Sequence, residues 1–390
     1  MTRVMPGVAG ALPRSPLPPG SPPRPGPAVL GLLVVMALAW TAPGALADPG
    51  SLADPGSPWI YVTNQDDATV SVVDAVTLEL VETVDLRGFG FGEHARPHHA
   101  QVEPDGSAWY VTLIGEGKVL KLSRENELLG TVETEVPGLL ALDPERDLLA
   151  VARSMTAVNP PASVLLIRRS DFTVVDEVGV LFPRPHALTL HPTAPWVYTA
   201  GLGVNQVAAV HLEEGRAELV DLPGPPHGIV QGAVSPDGRW LALTAELSDR
   251  LLVLDLADPA RPAFHTEIPM ADGPFEPGFS LDGRWLYVTN LEADRVTAVD
   301  TEGWEVVAEI AHEAMAQPHG IGFSPDGRFV FVSNRHQSGG VHDHHGGHAT
   351  AAGTLVVIRA GEHTVEAALE VGRYAAGVGA PAPSAPGGAP

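Results

Sequence analysis

Histidine is the residue type in this chain best placed to do chemistry. Sixteen histidines and no cysteines occur in 390 residues. Disulfides, thiolate metal sites, cysteine nucleophiles, iron–sulfur clusters, covalent c-type haem and a lipoprotein anchor are therefore excluded. The histidines fall into two patterns. One is a recurring Pro-His pair: Pro97-His98 followed by His99, Pro185-His186, Pro226-His227 and Pro318-His319. The other is a tract running from Arg335-His336 through His342, Asp343, His344 and His345 to His348, with glycines between. Imidazole binds copper, zinc and haem iron. A radial set of His98, His186, His227 and His319 would hold such a cation or metallocofactor. His98, His99, His186 and His319, with His336, His342, His344, His345 and His348 of the tract, are the candidate metal ligands. The plain alternative is that the Pro-His imidazoles hydrogen-bond a neighbouring structural unit.

Other residues carry weaker signals. Glu93-His94 precedes the first His pair and could join it. Arg153 and Arg335 could clamp an anion by bidentate contacts, or could be solvated rim residues. Glu276, beside Phe275, could serve as a ligand or base. His191 and His265 fall elsewhere and are expected to be structural. No Gly-x-Ser-x-Gly elbow, phosphate loop, dinucleotide fingerprint or His-Glu-x-x-His motif is present.

The elements that must position these residues come from a repeat. Asp282-Gly283-Arg284-Trp285-Leu286-Tyr287-Val288-Thr289-Asn290 returns as Asp326-Gly327-Arg328-Phe329-Val330-Phe331-Val332-Ser333-Asn334. Weaker copies end at positions 64, 113, 153, 201 and 245, a period of about 45 residues. One period reads as four strands: in the last copy Ile321–Ser324, then an Asp-Gly turn, Arg328–Ser333, Leu355–Ile358 and Val365–Val371. Repeated four-stranded antiparallel units of this length are propeller blades, which must close into a ring to bury their faces. The expected fold is all-β: a seven-bladed β-propeller over residues 58–379. Arg373–Gly379 closes the ring as the innermost strand of blade one.

Strand geometry then puts the loops before first strands and the loops after second strands on one face. His98, His186 and His319 share a column there, with His227 offset by three residues and Gly138 and Phe275 in blades three and six. The tract opens on the same face.

Tyr61-Val62-Thr63-Asn64, Tyr287-Val288-Thr289-Asn290 and the Ser-Pro-Asp-Gly turns at 235–238 and 324–327 make the chain resemble the YVTN-type (YncE-like) propeller family. The resemblance implies the propeller fold. It does not select a function, since similar repeats occur in surface-layer proteins, lactonases, the haem d1 domain of a nitrite reductase and nitrous oxide reductase.

Residues 1–27 are Pro-rich and basic, and Ala28 to Trp40 form a short apolar run ahead of Ala45-Leu46-Ala47. This reads as a signal peptide over 1–47, followed by a linker over 48–57 and, after the propeller, a disordered Pro/Ala/Gly tail over 380–390. The protein is expected to be periplasmic or secreted, monomeric and without a stable membrane anchor. The formal charge of −24 repels phosphate backbones, so nucleic acid is not an expected partner. The leading functional expectation is a binding propeller for a metal ion or small-molecule ligand, with copper, zinc or haem as cofactor and another exported protein as a further partner. The alternatives are a copper- or haem-dependent redox enzyme, a lactonase-like hydrolase and a metal-free interaction scaffold.

Overall fold

Each repeat copy rich in β-branched and aromatic residues becomes the second strand of a blade: Trp59–Asn64, Ala108–Leu113, Leu148–Arg153, Trp196–Gly201, Trp240–Ala245, Trp285–Asn290 and Phe329–Asn334. The computed structural model describes residues 57–154, 159–336 and 351–382, all within the unit Leu52–Pro390. They form seven four-stranded antiparallel sheets, and the chain is a seven-bladed β-propeller. Second and third strands are almost wholly buried, whereas fourth strands such as Leu80–Asp85 and Thr173–Gly179 are largely exposed. That gradient follows from geometry: inner strands pack between two neighbouring blades and outer strands meet solvent.

The ring closes as expected. Ala375–Gly379 pairs antiparallel with Trp59–Asn64, so blade one joins strands from both ends of the fold. Gly377 is needed there, because a Cβ would stand 2.5 Å from the His98 carbonyl oxygen. Arg373 locks the junction through Asp67. Pro381 then bridges Val102 of blade two, so order runs slightly past residue 379. The expected leader, most of the linker and most of the tail lie outside the described residues.

The Ser-Pro-Asp-Gly turns explain their own composition. Ser235 donates to Asp237 at 2.6 Å and accepts the Trp240 N–H at 2.9 Å, while Gly238 takes φ +74°. Blades six and seven repeat the arrangement at Ser280 and Ser324.

First strands begin earlier than the sequence suggested. They run Pro97–Val102, Pro137–Asp143, Pro185–Leu190, Ile229–Val234, Pro274–Phe279, Pro318–Phe323 and Ala375–Gly379. The Pro-His pairs at 97, 185 and 318 are therefore inside strands, each at a register shift. The residue before every first strand has positive φ: Arg96, Val136, Arg184, Gly228, Gly273, Gln317 and Tyr374. This left-handed entry followed by a bulge turns side chains toward the channel.

A bulge leaves a backbone N–H without a ladder partner. The hydroxyl near the end of the second strand takes it. Thr289 accepts the Glu276 N–H at 2.9 Å and donates to the His319 carbonyl of the next blade at 3.1 Å. Thr63, Thr112, Thr244 and Ser333 do the same in blades one, two, five and seven. Blades three and four carry Ala152 and Ala200 at this position.

Replacing Thr289 by Val leaves a buried donor and a buried acceptor unpaired and is expected to cost about 1–3 kcal/mol. Thr199→Val supplies the contrast. Thr199 is buried with no partner for its hydroxyl, at a place where neighbouring blades carry Val or Leu. Its replacement is expected to be neutral or stabilising. Urea unfolding of the two variants measures the difference.

Candidate functional site

The bulged column places His98, Gly138, His186, Val230, Phe275, His319 and Ala376 at equivalent points of the seven first strands. His98, His186 and His319 thus share one ring around the channel. His227 does not, and the radial set expected from the sequence must be corrected there. Blade five enters its first strand through Gly228 and Ile229, which puts Val230 in the column. His227 is fully buried beside it, with Nδ1 on Ser248 Oγ at 2.8 Å and Nε2 on the Pro223 carbonyl at 2.7 Å. Both nitrogens are committed, so His227 has none for a ligand.

The three column histidines are anchored through Nδ1. His186 Nδ1–H donates to the Val230 carbonyl at 2.6 Å, and His319 Nδ1–H to the Ala376 carbonyl at 3.3 Å. The Gln65 amide holds His98 Nδ1 at 2.8 Å. Ligand chemistry of His186 and His319 therefore runs through Nε2, whereas His98, whose Nδ1 accepts the Gln65 N–H, carries its proton on Nε2. His98 and His319 lie edge to face with centroids 6.0 Å apart, and Phe275 packs on His319 at 4.4 Å. The His186 bond also does structural duty: it spans from blade four to blade five, where Ala200 has no hydroxyl to do so.

The next residue along each strand adds His99, Gln231 and Glu276 to the lining of the same cavity. His99 Nδ1 accepts the Leu140 N–H of blade three at 3.2 Å, which fixes the proton on Nε2. Burial, with His186 nearby, lowers its pKa from 6.5 to about 4. Glu276 accepts the Ile321 N–H, yet burial lifts its carboxyl from 4.5 to about 8. At neutral pH the cavity thus holds a neutral imidazole and a protonated carboxylic acid. It encloses about 10 Å³, on the scale of one water molecule.

Arg335 follows the second strand of blade seven and lines the adjoining space with His98, His186 and His319. It is 1% exposed, lying over the rings of Phe275 at 5.3 Å and Tyr374 at 4.8 Å. Arg153 is spent elsewhere, bonded to Glu177 at 2.5 Å and to Ser163 at 3.0 Å. Glu93 and His94 do not join the histidines. Both are exposed, and Glu93 lines an outer groove of about 510 Å³ with Asp67, Arg87 and Arg373. His336 is held through Nε2 by the Ala314 carbonyl at 3.2 Å and Thr354 Oγ1 at 3.1 Å. His342, His344, His345 and His348 lie outside the described residues. His191 accepts two backbone N–H bonds within its own turn, and His265 packs on Trp240.

Two residues escaped the sequence reading. Gln65 stands directly after Asn64, the place Arg335 holds after Asn334, so aligning the copies one residue further would have found it. Arg96 precedes Pro97-His98, and its Nε and Nη2 are buried without hydrogen-bond partners. Its only signal was proximity to that pair.

The lining does not fit the expected cofactors. Among the described residues no three His, Asp or Glu side chains form a metal-holding group. A guanidinium shares the space with the imidazoles, so a divalent cation would enter against a buried positive charge. Haem needs a pocket of several hundred Å³, far more than this cavity offers.

Residues 175–338 match the family model described as "Lactonase, 7-bladed beta-propeller". The matched stretch contributes His186, Glu276, His319 and Arg335. No curated protein matches the chain. Among solved structures, the periplasmic gluconolactonase PpgL of Pseudomonas aeruginosa is 21% identical with a TM-score of 0.63, covering 82% of this chain and 97% of its own. Hydrazine synthase of Kuenenia stuttgartiensis is 18% identical at TM-score 0.58, covering 73% and 90%. The dihydro-heme d1 dehydrogenase NirN is 15% identical at 0.55, covering 85% and 76%. At these identities the likenesses show the fold alone.

The two shifted groups tilt stability in opposite pH windows. His99 has a lowered folded pKa, so its contribution is present above pH 6.5 and is lost as pH falls toward about 4. Glu276 has a raised folded pKa, so its contribution is present below pH 4.5 and is lost as pH rises toward about 8. Each slope is at most about 1.4 kcal/mol per pH unit. Glu276→Gln is expected to flatten the alkaline loss and to be more stable than the parent at pH 8. Chemical unfolding across pH 5 to 9 measures this.

Proposed function

We propose that the protein is an exported, lactonase-like hydrolase that works at the channel cavity on the histidine face. The observation that carries this reading is the pairing of acid and base in one lining. Glu276 is protonated at neutral pH because it is buried. His186 keeps its proton on Nδ1 against the Val230 carbonyl, so Nε2 is the basic nitrogen. Ring-opening of a lactone needs both functions. His186 Nε2 takes a proton from water as the oxygen attacks the lactone carbonyl, and the tetrahedral oxyanion forms. The ring C–O bond then breaks, and the Glu276 carboxyl protonates the departing alkoxide. The imidazolium and carboxylate return to their starting states by losing and gaining a proton, leaving a hydroxy acid.

The cavity holds one water-sized molecule, which suits the attacking water, with the lactone lying above it at the mouth. The family match over residues 175–338 supports the reaction class and spans both residues. Export is supported by the basic, Pro-rich start, the short apolar run and Ala45-Leu46-Ala47.

The test is proton release from δ- and γ-lactones of hydroxy acids, followed by pH-stat near pH 6.5. His186→Ala and Glu276→Gln should each lower kcat/KM by about a hundredfold or more, whereas Thr199→Val should not. Parent activity should decline as pH rises through about 8, where Glu276 ionises. Absence of hydrolysis across both lactone classes, or activity indifferent to His186 and Glu276, would refute the mechanism. The mature amino terminus recovered from the extracytoplasmic fraction should lie near Asp48; an intact leader in the cytoplasm would overturn the export reading.

A further inference from the structure

Among the described residues, nothing forms an ion pair or hydrogen bond with the Arg335 guanidinium. Arg335 is 1% exposed. Its ring contacts are with Phe275 and Tyr374, which stabilise a cation but leave the buried Nε–H without an acceptor. Arg96 sits close enough to repel it, and also has buried Nε and Nη2 atoms without partners. Tyr374 and the Glu246 carboxylate act on Arg335 electrostatically in the opposite sense. Two guanidiniums whose Nε atoms are buried without acceptors, in a chain of net charge −24, are poorly explained by folding alone. A buried cation is costly unless something completes it.

We propose that Arg335 and Arg96 form an oxyanion site at the channel mouth, taking a carboxylate or phosphate group, free or at the end of a larger ligand. The site takes the same mouth as the hydrolase reading and rests on it for the location, not for the reaction. The planar fork of Arg335 is held between two rings and so presents its donors in a fixed plane, the arrangement that matches two oxygens of one anion. Phe275 stacks in turn on His319, which couples the anion position to the column of imidazoles. In a lactone-bearing ligand the group held there would be a carboxylate or phosphate substituent remote from the ring.

Isothermal titration and thermal shift at fixed ionic strength, with formate, inorganic phosphate and gluconate as probes and chloride as the background anion, test this. At least one of the three is expected to bind and raise Tm. Arg335→Met should weaken that binding by about tenfold or more, and Arg96→Gln should weaken it in the same direction. Arg335→Met should also match or exceed the parent Tm without anion, because it removes a buried charge with no ion pair among the described residues. Should that variant not fold, Arg335→Lys keeps the charge but loses the fork, and must show weakened anion binding in a folded protein. Tighter binding of gluconate than of formate would place the site at the end of an organic ligand, and preference for phosphate would assign it to the free ion or a phosphate ester. No binding by the parent, or affinities unchanged in both Arg335→Met and Arg96→Gln, would overturn the proposal. Anion binding without lactone hydrolysis would sink the hydrolase reading alone; hydrolysis untouched by Arg335→Met, with no anion binding, would sink this one alone.

Discussion

The structure depends on one constraint: every first strand is bulged where it reaches the channel, and the N–H exposed by the bulge must be satisfied in a place water does not reach. In five blades a hydroxyl near the end of the second strand accepts that N–H and donates to the carbonyl of the next blade. One side chain therefore repairs its own blade and joins it to its neighbour. The recurrence of Thr before Asn in the repeat is a consequence of this double use. These bonds join neighbouring blades close to the axis, beside the packing of adjacent first strands.

Where the constraint is met differently, the candidate site appears. Blades three and four have Ala152 and Ala200 in place of the hydroxyl. At the seam after blade four histidine supplies the bond, His186 donating to Val230, and His99 accepts from Leu140 at the seam between blades two and three that Thr112 also bridges. The two readings that the Pro-His pairs left open, a ligand set or a contact with a neighbouring blade, turn out not to exclude each other. One ring nitrogen belongs to the scaffold, which fixes the tautomer, and the other is thereby assigned to the cavity. His227 shows the limit of the pattern. It has the same dipeptide, but a glycine entry shifts it out of the column and both its nitrogens go to the scaffold.

The repeat made the fold legible because each blade is specified locally. Strand, Asp-Gly turn and strand lie within a few tens of residues, and ring closure by the segment after Arg373 followed from the missing first strand of blade one. Strand starts were misjudged because a proline reads as an interruption, whereas a bulged strand end tolerates it. The column of His98, His186 and His319 was legible from alignment to the turns. The roles of these residues were not. Whether an imidazole or guanidinium is answered depends on groups from other strands and blades, such as Gln65 of blade one for His98 and Glu177 of the same blade's fourth strand for Arg153, and no spacing along the chain reports them. Arg153 ends a second strand and Arg335 directly follows one, and their fates are opposite.

Burial explains why charge and site chemistry separate so cleanly in this protein. The surface excess of carboxylates is solvated and screened, and it decides solubility and long-range repulsion. Inside the channel mouth the order is reversed. Glu276 gives up its charge to burial, His99 is kept from gaining one, and Arg335 cannot shed its own because a guanidinium holds its proton too tightly. The mouth is therefore left with positive charge and an uncharged acid within a strongly acidic molecule. An anion would have to cross the outer field to reach a place that favours it, so recognition there must come from short-range bonds rather than from steering.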